Sequence, residues 1–465
     1  MPPGYMDVTG DSEESRSRSL GDKPFKPPGE ETMKIRLLLA LAGLAINFAL
    51  PAFAQQKEPT PSEQDRAQIV AGGGGTTRGS SALKPISQSA LQSMLDATAR
   101  ELLIPGAVVL LRTPQGEFTA TYGTTQLGTK IPPTTDTYFR IASNTKTMTA
   151  AVIVQLAQEG KLKFSDPVSK YVAGVPNGDH ITIAELLDMR SGLYNYLNAP
   201  ELSKSADHDP TRVWTPAELL AIGFAQPPNF PPDTDYEYSN TNYVLLGLIV
   251  EKVEGKTLAQ AMQDRLFGPL GMLHTALPPS NANALLAPYS HGYLYGSSSV
   301  AFVGEPPYSA AVKAAATAGT LKPNDYTSLN HSFAWAAGGA ISTANDCATW
   351  IQALVSGHVF DAEYQQLWLD SLRPEKPGQE YGYGIIALRW GTNAIYNHGG
   401  ETAGYQSFMG YDPANKITLI VWTNLTVSLD EIPTANALML KVLDQVYVES
   451  PLRQAQTSTP TSTPP

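Results

Sequence analysis

Apolar residues recur with a helical period over Leu91–Glu101, after which the period shortens. Ala107–Leu111 and Glu117–Tyr122 read as two strands joined through Thr113-Pro114-Gln115-Gly116, a tight hairpin connection. Strand-like sequence returns only far downstream, at Tyr381–Leu388, Tyr405–Gly410 and Ile417–Thr423, with Asp412-Pro413-Ala414-Asn415 as a turn and Ile432–Tyr447 as a closing helix. The middle is different. Helical spacing occurs at Thr147–Gln158, Ile183–Met189, Tyr243–Val253 and Leu258–Leu266, broken by loops rich in Pro and Gly. These patterns predict an α+β protein whose sheet is assembled from both flanks, with a mostly helical lobe over roughly residues 150–340 inserted between them. A cleft is expected where the two lobes meet, since small-molecule sites favour such junctions.

The ends carry other signals. Met33–Ala54 places Lys34 and Arg36 before an apolar run, Leu37–Leu50, followed by Pro51 and the small-x-small box Ala52-Phe53-Ala54. That order predicts a secretory signal peptide, and the run is short for a membrane span and contains Asn47. Residues 1–54 are thus expected to be an N-terminal extension plus export signal, with translation starting at Met1 or Met33. Residues 55–88, including Gly72–Gly75, read as a flexible leader, 89–450 as the folded body and 451–465 as a disordered tail. No stretch of the body reaches 18 apolar residues, so an exported, periplasmic or extracellular protein without a membrane span is expected.

Composition narrows the chemistry. With 42% hydrophobic and 16% charged residues among 465, the chain can bury a large core or two coupled ones. The 43 Asp and Glu outnumber 32 Lys and Arg, a net charge of -11, and no basic or aromatic-basic motif stands against it, so no nucleic-acid partner is expected. A single cysteine, Cys347, rules out an intrachain disulfide and a dithiol pair, and its helix-like surroundings predict a small buried side chain. Besides His398, histidines 180, 208, 274, 291, 331 and 358 lack metal-ligand spacing, and the glycine clusters lack phosphate-loop context. No metal or cofactor is expected.

Three short segments carry chemistry. Ser143 and Lys146 stand three apart at the start of a helix, which puts both side chains on one face and the serine beside unpaired backbone N–H groups. A serine needs a base, and a lysine serves only when burial or nearby positive charge favours its neutral form. Tyr238-Ser239-Asn240 follows, offering a hydroxyl for proton relay and an amide to orient a substrate carbonyl or the lysine. In His398-Gly399-Gly400-Glu401, next to strand-like sequence, the glycines permit close backbone approach, and an N–H from the strand following them can join that of Ser143 in an oxyanion hole.

Together the three segments resemble the penicillin-recognising serine hydrolases, in particular the branch of class C β-lactamases, Streptomyces-type DD-carboxypeptidases, D-aminopeptidases and related esterases. The likeness extends through Leu186–Leu193, Tyr238–Gly247, Glu251–Gly255, Pro269–Met272 and Ala337–Thr343, spanning roughly residues 90–450. It implies a β-lactamase/transpeptidase-like fold, a central antiparallel sheet flanked by helices. It further implies acylation of Ser143, with Lys146 as general base, Tyr238 as proton relay, and Asn240, His398 and Gly400 at the substrate. The Ser143 and Glu401 backbone N–H groups would hold the oxyanion. Two positions depart from the pattern. His398 stands where class C enzymes usually carry the lysine of Lys-Thr-Gly, which weakens carboxylate binding, and Met189-Arg190 stands where many relatives read His-Thr. The expected activity is a DD-carboxypeptidase-like peptidase. Esterase or D-aminopeptidase/amidase chemistry is the alternative, followed by a β-lactamase or a non-catalytic relative; the substrate would be a small peptide, amide, ester or β-lactam.

Overall fold

The computed structural model describes residues 83–304 and 308–451. The expected export signal, and nearly all of the leader and the tail, lie outside the described residues.

A helix, α1 (Gln88–Glu101), is capped by the Ser87 side chain and leads into the hairpin β1 (Gly106–Thr113) and β2 (Gly116–Gly123). The other six strands of the main sheet come late: β3 (Arg373–Lys376), β4 (Gln379–Tyr381), β5 (Ile386–Trp390), β6 (Asn393–Thr402), β7 (Tyr405–Asp412) and β8 (Ile417–Thr423). They form one antiparallel sheet in the order β2-β1-β8-β7-β6-β5-β4-β3. The two flanks of the chain meet where β1 pairs with β8, Ala107 opposite Thr423.

Every residue of β7 and β8 is buried, because both faces of the sheet are covered there. The closing helix α5 (Thr434–Val446) packs with α1 over one face, and α4 (Ala344–Val355) packs against β1, β7 and β8. Between the flanks lie α2 (Thr145–Gln158) and α3 (Asn240–Glu254), which pack on each other and on the short helix Trp335–Gly338. Helix α2 is buried at all positions but Gln155 and Gln158, so it runs through the interior and fixes the residues at its N-terminus. Among the described residues no helix is long and apolar enough to cross a membrane. Cys347 is buried in α4.

The structure corrects three readings. The single strand expected over Tyr381–Leu388 is two, β4 and β5, because Gly384 adopts φ +72° and the chain turns back with the Gly382 N–H on the Ile385 carbonyl. The helix expected over Leu258–Leu266 stops at Met262 and continues as a π-helical turn, Gln263–Phe267. His398-Gly399-Gly400 lies inside β6 rather than beside a strand.

Candidate active site

Ser143 sits on one 3₁₀ turn, Ala142–Asn144, that leads into α2. Ala142 holds φ +46°, a conformation unfavourable for a residue with a Cβ. Neighbouring bonds impose it. Thr145 Oγ1 donates to the Ala142 carbonyl at 2.7 Å, and Asn144 Nδ2 donates to the Ile141 carbonyl at 2.9 Å and to Ser407 Oγ, on β7, at 2.8 Å.

One helical turn on, the Lys146 ammonium nitrogen lies 3.1 Å from Ser143 Oγ, 2.7 Å from Asn240 Oδ1 and 2.7 Å from the Ala337 carbonyl. Its side chain is fully buried, over the faces of Tyr238 (4.8 Å) and Tyr243 (5.5 Å), and among the described residues it forms no ion pair. Loss of hydration holds its pKa well below the usual lysine value. Of the two roles expected for Asn240, the geometry supplies the one toward the lysine: Oδ1 faces Nζ, while Nδ2 donates to Asn195 Oδ1 at 3.2 Å.

Tyr238 hydrogen-bonds Ser143, and removal of its hydroxyl from water raises its pKa, so the phenol keeps its proton. His398 is buried with Nδ1 2.6 Å from the Gly399 carbonyl and Nε2 3.3 Å from the Tyr381 hydroxyl. Burial pushes its pKa down to about 3, so it is neutral at pH 7. The imidazole therefore presents no cation to a substrate carboxylate.

Gly400 allows β6 to lie against the serine turn. A Cβ there would stand 2.1 Å from the Ile141 carbonyl oxygen. The hairpin joining β6 to β7 has two turn residues, and Thr402 faces Tyr405 across it, so Thr402 and Gly400 direct their backbone groups to β7. On the other edge β5 pairs with β6 only as far as Asn397. Alternation then points the N–H groups of Gly399 and Glu401 away from β7, into the cleft that Ser143 lines. The cleft has a cavity volume of about 120 Å³ and is also lined by Tyr238, Asn240, His398, Glu375 and Glu401. Six of the seven site residues predicted from the sequence thus line this cleft, and the seventh, Lys146, is buried behind Ser143 with Nζ 3.1 Å from its Oγ.

A model of the Beta-lactamase family matches residues 91–444, most of the chain. The chain belongs to the beta-lactamase family. It is similar to a D-stereospecific amidohydrolase from Streptomyces sp. (26% identity, TM-score 0.62, 81% of this chain and 100% of that one). It is similar also to the D-amino acid amidase of Ochrobactrum anthropi SV3 (25% identity, TM-score 0.64, 80% and 98%). Among curated proteins, Protein flp of Staphylococcus aureus strain MW2 is 32% identical over 204 residues, 42% of this chain; the match spans only 39% of that relative's length. The family fold, an antiparallel sheet flanked by helices, is the one observed.

Within this family site, several contributors were absent from the sequence reading. The Ala337 carbonyl, Asn195, Tyr381 and Ser407 act through backbone or through partners 17 to 263 residues away, which local spacing does not register. Met189, at the departure from the family pattern, adopts φ +66° and places its sulfur 3.4 Å from the Ser239 backbone N–H, supporting the loop that delivers Tyr238.

Proposed function

We propose that the protein is an amidohydrolase that cleaves small amino-acid amides, of the D-amino-acid amide type named for its structural relatives, through an acyl-enzyme on Ser143. The arrangement around Lys146 carries the reading. Two acceptors at 2.7 Å take two N–H bonds of a neutral amine, leaving its lone pair directed to the Ser143 hydroxyl at 3.1 Å. The hydroxyl proton passes to Nζ as Oγ attacks the carbonyl carbon. The N–H groups of Ser143 and Glu401 hold the oxyanion. As the C–N bond breaks, the leaving nitrogen takes a proton through Tyr238, whose phenol stays protonated in the resting site and is resupplied with the proton that Nζ took from Ser143. Water, deprotonated by the same route, then releases the acid.

Support for an amidase over a DD-carboxypeptidase comes from the likeness to the D-stereospecific amidohydrolase and the D-amino acid amidase, while His398 in place of a lysine speaks against a class C β-lactamase. Export to the periplasm or exterior is part of the proposal and rests on residues 33–54 alone.

The test is a turnover panel of D-amino-acid amides, D-Ala-D-Ala peptides, short acyl esters and a chromogenic cephalosporin, run on wild type and S143A. The amides should rank first, and S143A should lose about 10⁴-fold or more while keeping its fold. Unchanged turnover in S143A overturns the mechanism, and peptides ranking above amides overturns the substrate class.

A further inference from the structure

Resting on the amidase reading, we infer that Glu401 and the apolar pocket beside it form an acyl-side subsite for a residue with a free α-ammonium and an apolar side chain. Glu401 lines two cavities, the main cleft and a smaller pocket walled by Tyr196, Leu197, Phe302 and Phe333. Its backbone N–H faces the place proposed for the substrate carbonyl oxygen, and an α-ammonium is separated from that carbonyl by a single carbon. The carboxylate is thus rooted beside the group it would bind.

Charge decides the ligand. Glu401 forms no ion pair among the described residues; its Oε2 accepts only from Gln406 Nε2 at 3.3 Å. That amide is fixed in orientation, because Gln406 Oε1 accepts from the backbone N–H groups of Ala435 and Asn436 at the start of α5. The other carboxylate on the cleft wall, Glu375, already accepts from Gln379 at 2.7 Å and lies 3.6 Å from Lys376. Lys146 is committed to its three oxygens, and His398 is neutral. A cationic substituent therefore finds an unpaired acceptor here. Burial raises the Glu401 carboxyl to about 8, an unfavourable state for an anion that a bound ammonium would relieve. The pocket beyond, with Phe302 and Phe333 rings 5.3 Å apart, suits an aromatic or branched side chain.

Three p-nitroanilides test this: D-phenylalanine, N-acetyl-D-phenylalanine and 3-phenylpropionic acid, the last lacking nitrogen at the α position. Wild type should favour the free amine in kcat/KM, and Glu401→Gln should shrink that preference by about tenfold to a hundredfold, chiefly through KM. Glu401→Asp, which keeps the charge, should restore part of it, with thermal melting verifying the fold of both variants. Equal losses on all three substrates, or a wild type indifferent to acetylation, overturn the subsite and leave the amidase reading standing. If no anilide is cleaved while an active ester still acylates Ser143, the amidase reading falls and the subsite with it.

Discussion

Gly400→Ala is the most direct probe of how the sheet builds the site. The added Cβ would lie 2.1 Å from the Ile141 carbonyl oxygen, 2.7 Å from Ser407 Oγ and 2.8 Å from Asn144 Nδ2. The two side chains can rotate away at the expense of their mutual hydrogen bond. The carbonyl is less free, since it belongs to the backbone two residues before the nucleophile and accepts from Asn144 through both backbone and side chain. The shortfall against an ordinary carbon–oxygen contact is on the order of 1 Å, so β6 and the serine turn must separate by about that much. Overpacking of this size costs roughly 1–3 kcal/mol of stability. Its effect on rate is larger in kind, because the shift lies between Ser143 and the Glu401 N–H: a misplacement of about 1 Å costs about 10²-fold.

The assay is the burst of p-nitrophenol from an active ester, which isolates acylation, read beside a denaturant melt. Gly399→Ala is the comparison for stability, because a Cβ there meets nothing closer than the Ser407 carbonyl at 3.7 Å. The expected result is a slowed burst and a lowered midpoint for Gly400→Ala, with the Gly399→Ala midpoint within about 0.5 kcal/mol of wild type. A Gly400→Ala enzyme that acylates at the wild-type rate would refute the claim that close approach of β6 assembles the site.

Two further predictions concern the scaffold. Arg265 clamps Glu159 (2.6 Å) and the nearly buried Glu254 (2.8 Å), so Arg265→Leu should cost about 2–3 kcal/mol at pH 7 by urea unfolding. Both carboxyls are depressed to about 2, so this contribution is present above the unfolded value near 4.5 and disappears as pH falls through 2; a variant-to-wild-type gap that does not narrow over that window would contradict it. The Cys347 thiol, pushed up to about 12 by burial, should ignore a thiol-reactive disulfide reagent in the native protein and react with one equivalent after denaturation, whereas labelling of native protein within minutes would contradict its packing in α4.

The elements legible in the sequence are those whose pattern is set by the core. Strand β8 reads directly as Ile417–Thr423, and the β1–β2 hairpin is found within two residues at each end, because apolar β-formers are bounded by turn residues. Strand β6 was not read as a strand. Its sequence, Asn-Ala-Ile-Tyr-Asn-His-Gly-Gly-Glu-Thr, carries the residues of the cleft, and these displace the alternation that marks a half-buried strand. Ser143 and Lys146 could be paired from spacing alone, since one helical turn brings them together whatever the tertiary structure. The positive φ of Ala142 could not, because alanine gives no sign of it and the restraint comes from Ser407 on a distant strand.

The chemistry of the lysine shows why its other partners had to come from elsewhere in the chain. A carboxylate beside Lys146 would stabilise the ammonium and offset its burial, leaving a cation that cannot accept a proton. Asn240 and the Ala337 carbonyl are neutral acceptors, which fix the direction of two N–H bonds without supplying a counter-charge. Burial is therefore left to lower the pKa, and hydrogen bonding is left to aim the lone pair. Neither acceptor is on α2: one is the first residue of α3, and the other belongs to the short helix that packs between α2 and α3. The general base is thus a property of a three-helix junction, to which the Ser-x-x-Lys spacing contributes only the reacting pair.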